Sequence, residues 1–368
     1  GGKLVFSGSG AGLAQRAQSP AVITTGLSYT IKFTVSDYSS GTVQTRTGNS
    51  GYGPTVSADG TYYHSVVAGG SPTETVLFYG NSFNGKIDDV KVYIEDQDRS
   101  VNNKGLQVFG TITKTAVATG AELVAYSGWS SSNYFRQQYN SDLNFGTGNW
   151  SFMFWYNPND SSSGSVLFTR WSRNVNNSTA GRIGVYFNSG NLRCDTTDDG
   201  ASSYQGHAGS DGTQDTDVWH CGVVLRRGPN LEIWIDGNMT VSNILNSTSD
   251  GSYSNSNAIL EIGDSPNMGS ADSGIQLALL RASASAPSAE QIKKMYNDEK
   301  CLFHENTKCT LHGTSDEIKA LGFDDTNNLL HVGTSSGRSE FQGLNRINNT
   351  STAVTTAISA SNELVAEQ

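Results

Sequence analysis

The sequence is poor in several things. It has 4 Cys and 7 Pro in 368 residues, and charged residues make up only 16% of it. Four cysteines in a chain of this length are no disulfide framework. No run of about 18 apolar residues occurs, so no membrane-spanning helix is implied. Lys and Arg number 24 against 34 Asp and Glu, a net charge of −10. That balance argues against nucleic acid and against insertion in or docking on an anionic membrane, which attract clustered Lys and Arg. Familiar catalytic patterns are missing too. None of the six His sits in H-E-x-x-H, and there is no G-x-S-x-G and no Walker loop. The opening GGKLVFSGSGAG has no basic-then-apolar leader and reads as a trimmed start.

What is present is period-2 alternation. Residues 231–241 (LEIWIDGNMTV) alternate apolar and polar, then break at Asp236-Gly237. Asp-Gly between alternating runs is a strong hairpin signal, so Asp236 reads as a turn residue. The runs 150–156, 165–170, 182–187, 218–227, 258–263 and 274–281 alternate or are continuously apolar, with Gly, Asn, Ser and Asp between them. Many short strands with such punctuation predict an all-β sandwich. One helix closes the set at about 288–300. Ser288 caps it, Gln291 reaches back as a capping box, and Ile292, Met295 and Tyr296 fall at helical spacing.

The strand NWSFMFWYNP, the pair VWHCGVVLRRGPNLEIWIDGN, the strand EIGDSPN and the closing LALLRASASAPSAEQIKKMYNDEK resemble the concanavalin A-like, laminin-G-type jelly roll over residues 123–303. That fold hosts lectins, glycan hydrolases, adhesion modules and virion proteins, so the resemblance implies a fold and leaves several functions open. Its hydrolase relatives carry E-x-D-x-x-E on a strand. Here Glu232 and Glu261 each stand alone, which argues against an enzyme.

Residues 1–96 form a first unit with strands expected at 28–36, 41–46, 61–67, 74–79 and 87–94. GLSYTIKFTVSDYSSGTV, VSADGTYYHSVVAG and IDDVKVYI resemble a carbohydrate-binding-module jelly roll. In that resemblance Asp88, which opens the last strand, implies help with a structural calcium. A solvent-facing or turn-binding role for Asp88 and Asp89 is the alternative, since calcium takes six to eight oxygens. Residues 95–104 (EDQDRSVNNK) read as a linker, and 97–122 as linker and lead-in strands. Two separate sandwiches breaking near 96–105 are expected.

Long polar loops at 174–180, 196–216 and 246–257 mark the large sandwich. Trp129, Tyr134, Trp171, Tyr204 and Tyr253 lie in or near such loops, and an aromatic face can stack on a sugar. Trp171 and Tyr204 are the candidate glycan-binding residues, with loop packing as the alternative. Asp195, Asp198, Asp199, Asp211, Asp215 and Asp217 crowd one region and read as a solvated acidic loop. Cys301, His304, Cys309 and His312 have zinc-like spacing, but a strand at 310–312 would split the four between two faces.

The tail, 304–368, is expected to be a small β unit. IKALGFDD and NLLHVGTSS resemble one propeller blade, and a single blade cannot cover its own faces. A homotrimer held by the tail would cover them. The order from residue 105 to the end resembles structural proteins of tailed, marine-type phages. That resemblance implies a non-enzymatic virion protein, a tail fibre or appendage meeting host-surface glycans, whose partners are those glycans or other virion proteins. A capsid-attached fibre or decoration protein, or a secreted bacterial glycan-binding or glycan-cleaving protein, is the alternative.

Overall fold

The computed structural model describes residues 3–8, 11–12, 23–24, 26–47, 51–69, 75–96, 105–158, 164–171, 181–197, 206–209, 214–244, 251–265, 271–314, 317–354, 359–361 and 364–366. The fold is mostly β, as expected. In the first unit, β1 (Leu4–Ser7), β2 (Ala11–Gly12), β3 (Ser28–Thr47), β4 (Gly51–Tyr52), β5 (Gly60–Val67) and β6 (Val76–Asp96) are hydrogen-bonded into one sheet. The strands expected at 28–36 and 41–46 run on as the 20-residue β3, and those at 74–79 and 87–94 as the 21-residue β6. Both are bent. Residues 29–36 of β3 pair with 86–94 of β6, and 40–47 pair with 76–84. The bend needs positive φ at Asp37, Gly41 and Ser82. At Gly41 a Cβ would lie 2.2 Å from the Ser82 carbonyl, so only glycine fits. The folded halves enclose Ile31, Phe33, Val43, Val76, Phe78 and Phe83.

The second unit contains β7 (Leu106–Phe109), β8 (Thr113–Ala116), β9 (Val124–Ser127), β10 (Tyr134–Gln137), β11 (Trp150–Asn157), β12 (Ser165–Trp171), β13 (Arg182–Asn188), β14 (Asn191–Thr197), β15 (Gly206–Gly209), β16 (His220–Arg227), β17 (Asn230–Ile235), β18 (Asn238–Ile244), β19 (Ile259–Ile262) and β20 (Gln276–Ser283). One layer runs β15-β14-β13-β12-β19-β10-β7 and the other β18-β17-β16-β11-β20-β9-β8. Between them lies an aromatic core that includes Trp150, Phe152, Phe154, Phe168, Phe187 and Tyr253.

The first layer does not stop at β7. Gln107 and Leu106 pair with Glu95 and Asp96 of β6, so one sheet continues through both units. The two units therefore have distinct hydrophobic cores but share a backbone ladder across the expected break, and residues 97–104 lie outside the described residues.

The capping box forms as the sequence predicts. Ser288 Oγ accepts from Gln291 N at 3.2 Å, and Gln291 Oε1 accepts from Ser288 N at 2.7 Å. Helix α1 (Ala289–Glu299) lies over the outer side of the second layer. Ile292, Leu302 and Phe303 bury Met153, Trp155, Val223 and Leu225 there. Glu299, itself buried, accepts from Trp155 Nε1 at 2.8 Å and from Arg281 Nη2 at 2.9 Å.

The tail forms a four-stranded meander, β21 (Ile318–Asp324), β22 (Leu329–Thr334), β23 (Gly337–Gln342) and β24 (Asn345–Thr350), then a short pair, β25 (Ser359–Ser361) and β26 (Leu364–Ala366). The strand expected at 310–312 does not form. Those residues are held in bends instead, because Glu122 Oε2 accepts from the backbone of Cys309 and Thr310, at 2.9 and 3.0 Å.

Candidate functional site on the outer face of the shared sheet

Leu106, Val108, Phe135, Leu260, Ile262, Ile183 and Val185 turn into the core of the second unit. Alternation then turns their neighbours outward. Register aligns those neighbours in one row across the sheet: Asp195, Gly184, Thr169, Glu261, Arg136, Gln107 and Glu95. Beside it runs an aromatic ladder. Tyr93 to Phe109 is 5.2 Å and Phe109 to Tyr134 is 4.6 Å between ring centroids. On the other side Trp171 pairs with Ile259, and the Arg182 guanidinium sits 4.4 Å over the indole.

Arg136 occupies the centre. Its Nε and Nη2 donate to Glu261 Oε1 at 3.0 and 2.8 Å, and Nη2 also donates to Tyr134 Oη at 3.1 Å. Its guanidinium lies 4.7 Å over the Phe109 ring. Glu261 is 2% exposed and forms an ion pair with Arg136 at 2.8 Å. Arg182 Nε donates to Thr197 Oγ1 at 2.6 Å. Tyr186 donates to Asp195 at 3.1 Å, and burial, helped by the Asp195 charge, pushes its phenol well above the usual range.

Among the described residues, two donors flanking this centre have no acceptor. Trp171 Nε1 and Gln107 Nε2 are buried and unpaired there, although Gln107 Oε1 accepts from Gln138 Nε2 at 3.1 Å. A buried donor left unmade costs about 1–3 kcal/mol, so such atoms call for an explanation. Trp150 Nε1 and Tyr156 Oη also lack acceptors, but they belong to the hydrophobic core between the layers.

The sequence-predicted residues fall as follows. Trp171 ends β12 instead of sitting in a loop, and is 8% exposed with its ring under Arg182. Its ring face is covered and its edge N–H is buried. Tyr204 lies outside the described residues. Trp129, Tyr134 and Tyr253 are packing residues. Trp129 Nε1 donates to Ile275 O at 2.9 Å, and Tyr253 Oη bonds Thr196 Oγ1 at 3.0 Å. Asp88 accepts from Asp89 N at 2.8 Å, while the Asp89 carboxylate pairs with Lys32 and, at 3.7 Å, Lys91. Among the described residues no three His, Cys, Asp or Glu converge on a metal position. Of the zinc-like four, Cys301 Sγ lies 3.2 Å from Asp298 O, and His312 Nε2 bonds Ser351 Oγ at 3.2 Å. Asp236 is the turn residue expected. It has φ 50, its carboxylate accepts from Cys221 N at 2.8 Å, and it bonds His220 Nδ1 at 2.9 Å.

Sequence reasoning missed Arg136 and Gln107. It treated Glu261 as alone because its partner stands 125 residues away in the chain. The only local signal was polar Gln107 between apolar Leu106 and Val108.

A two-layer β-sandwich with a polar and aromatic outer face is a lectin-type architecture, and the comparison with known families agrees. Residues 131–293 match the Laminin_G_3 model of the Concanavalin A-like lectin/glucanases superfamily. That part of the chain is a concanavalin A-like, laminin-G-type domain. No curated protein matches the chain. Among solved structures it is similar to the receptor-binding domain of botulinum neurotoxin C/D mosaic serotype, with TM-score 0.44 and 12% identity over 67% of this chain and 59% of that one. The binding domain of botulinum neurotoxin serotype D gives 0.44 and 14%, with the same shares of each chain. The binding domain of botulinum neurotoxin DC, in complex with rat synaptotagmin II, gives 0.42 and 14% over 67% and 59%. The chain thus spans less than two thirds of the length of these domains, and likeness of this size carries no functional weight.

Proposed function

We propose that the chain is a non-enzymatic glycan-binding module whose ligand lies across the outer face of the shared sheet, between Gln107 and Trp171. The observation behind this reading is the pair of buried donors without acceptors, one on each side of the Arg136–Glu261 pair. Both donors lie beneath the surface of the unbound chain, and a sugar hydroxyl or ring oxygen supplies the acceptor each lacks by displacing the side chains above them, while Tyr93, half-buried, offers a ledge for a neighbouring ring. The concanavalin A-like family of the domain supports a glycan as ligand.

Carboxylate spacing supports binding over hydrolysis. Asp195, Glu261 and Glu95 stand in one row, each three strand positions from the next. At ~4.8 Å per strand that is about 14 Å, beyond the roughly 5–9.5 Å of glycosidase pairs. The wider setting of the proposal is a virion fibre or appendage. It rests on the resemblance of residues 105–368 to structural proteins of tailed phages.

The test is a glycan array followed by titration of the best ligand, with Trp171→Phe and Gln107→Leu. Trp171→Phe removes the indole N–H together with part of the ring, and Gln107→Leu removes the amide N–H groups together with the Oε1 that accepts from Gln138 Nε2. Each should weaken binding by about tenfold, with any loss of stability read separately from the melting temperature. No ligand on the array, or unchanged affinity in both variants, would overturn the site. Cleavage of the bound glycan would overturn the non-enzymatic reading.

A further inference from the structure

The tail sheet is half covered by its own chain. On its inward face Val332 and Phe341 are buried. Arg346, opposite Phe341, donates to Glu122 Oε1 and Thr310 O, each at 2.8 Å. Toward β21 the same face is bare among the described residues. Register puts Ile318 opposite Thr334, Leu321 opposite Val332 and Phe323 opposite Leu330, all on that face. Their exposures are 51% for Ile318, 64% for Leu321, 64% for Phe323 and 36% for Leu330. Among the described residues β21 is also an edge strand, paired on one side with β22 alone. The β24 edge differs: Arg346 N already donates to Lys308 O at 2.7 Å. An exposed apolar strand with a free edge is a template for another strand.

We propose that this edge joins two copies of the chain, β21 against β21 of a second copy, antiparallel about Gly322. The strand is self-complementary in that register. Leu321 stands opposite Phe323 of the second copy, and Phe323 opposite its Leu321, so both apolar residues stay on one face. Lys319 and Asp325 fall at the two ends of this ladder with opposite charge: Lys319 lies at the β-bulge between Ile318 and Ala320 and bonds Glu317 in the monomer, and Asp325 opens the turn after β21. Nothing lies within 4 Å of the place a Cβ would occupy on Gly322, so the centre is open to approach. Neighbouring registers are worse. Centring on Leu321 sets Glu317 against Asp325, two like charges. A shift by one residue sets Leu321 against Gly322 and turns the apolar residues to opposite faces.

Size sets the strength. Four side chains about half exposed offer on the order of 400 Å² of apolar surface per copy, below the ~800 Å² per partner of a standard interface. The backbone ladder adds to it. The contact is therefore a weak one, with a Kd of roughly 1–100 µM. Three copies, the number expected from the sequence, could share the apolar face about an axis but could not all use this two-fold register. The interface stands whether or not the outer face of the large sheet binds a glycan.

The experiment is sedimentation velocity and light scattering of the full chain from about 1 to 100 µM. The expected result is a monomer–dimer equilibrium. Leu321→Lys with Phe323→Lys should hold the chain monomeric across that range with melting unchanged, since both residues are solvent-exposed in the monomer. Lys319→Asp should weaken the dimer at least tenfold, and adding Asp325→Lys should restore it. A monomer at every concentration, a dimer indifferent to the lysine pair, or no rescue by the charge swap would overturn the proposal. A trimer mass would overturn the two-fold register.

Discussion

Phe109 and Tyr134 stack with ring centroids 4.6 Å apart and planes 11° from parallel. Tyr93 of the first unit meets Phe109 from the other side at 5.2 Å. One ring of the second unit thus links both units on the outer face of their common sheet. The Glu95–Gln107 and Asp96–Leu106 pairs run beneath it.

Coupling between the units should depend on that ring. Phe109→Ala removes two ring contacts and the Arg136 cation–π contact, together about 1–3 kcal/mol. The wild type should melt in one calorimetric transition, and the variant in two resolved ones. One unshifted transition in the variant would count against the coupling.

Acid should weaken the first unit through His64. Its Nδ1 lies 3.0 Å from Thr45 Oγ1, its ring meets Phe33 edge-on at 4.9 Å, and burial lowers its pKa from 6.5 to about 4. An imidazole kept neutral by folding contributes stability above pH 6.5 and loses it as pH falls toward 4. The shift corresponds to about 3 kcal/mol at most. Urea midpoints between pH 7 and 4 should fall less in His64→Gln than in the wild type.

His220 should act with the opposite sign. Burial disfavours its charge, but the hydrogen bond to Asp236, the Asp236 charge and the Asp215 carbonyl outweigh burial and raise its pKa. Its contribution is complete below pH 6.5 and is lost as pH rises through the raised value. Asp236→Asn keeps a residue that tolerates positive φ and removes the charge. The stability gap between wild type and this variant should be largest near pH 6 and shrink toward pH 8. A gap that grew with pH would refute the pairing.

Helix α1 should be anchored by Glu299. Glu299→Ala strips the acceptor from Trp155 Nε1, which is buried, and from Arg281, which keeps access to water. The expected loss is about 2–3 kcal/mol by denaturant unfolding. Glu299→Gln, which can still accept from the indole, should lose less.

Gly263 should tolerate no side chain. Its φ is +87, and a Cβ would lie 2.1 Å from the Trp129 ring. Gly263→Ala should cost about 3 kcal/mol or more, read as a fall in melting temperature.

Local chemistry determined much of this protein. Alternation marked the strands of both layers, Asp236-Gly237 marked a hairpin with two positive φ values, and Ser288 with Gln291 marked the start of the helix. These follow from interactions within a few residues, so the amino-acid order states them directly. The pairing of strands was decided elsewhere. Whether 28–36 and 41–46 are two strands or one bent strand depends on Ser82, some forty residues away, closing on Gly41. Whether the break at 96–105 separates two sheets depends on β6 meeting β7. Trp171 carried the right residue type, but only the fold shows that Arg182 covers its face and that its N–H is buried. Arg136 and Glu261 gave no mark at all, since an ion pair spanning 125 residues exists only once β10 and β19 lie side by side.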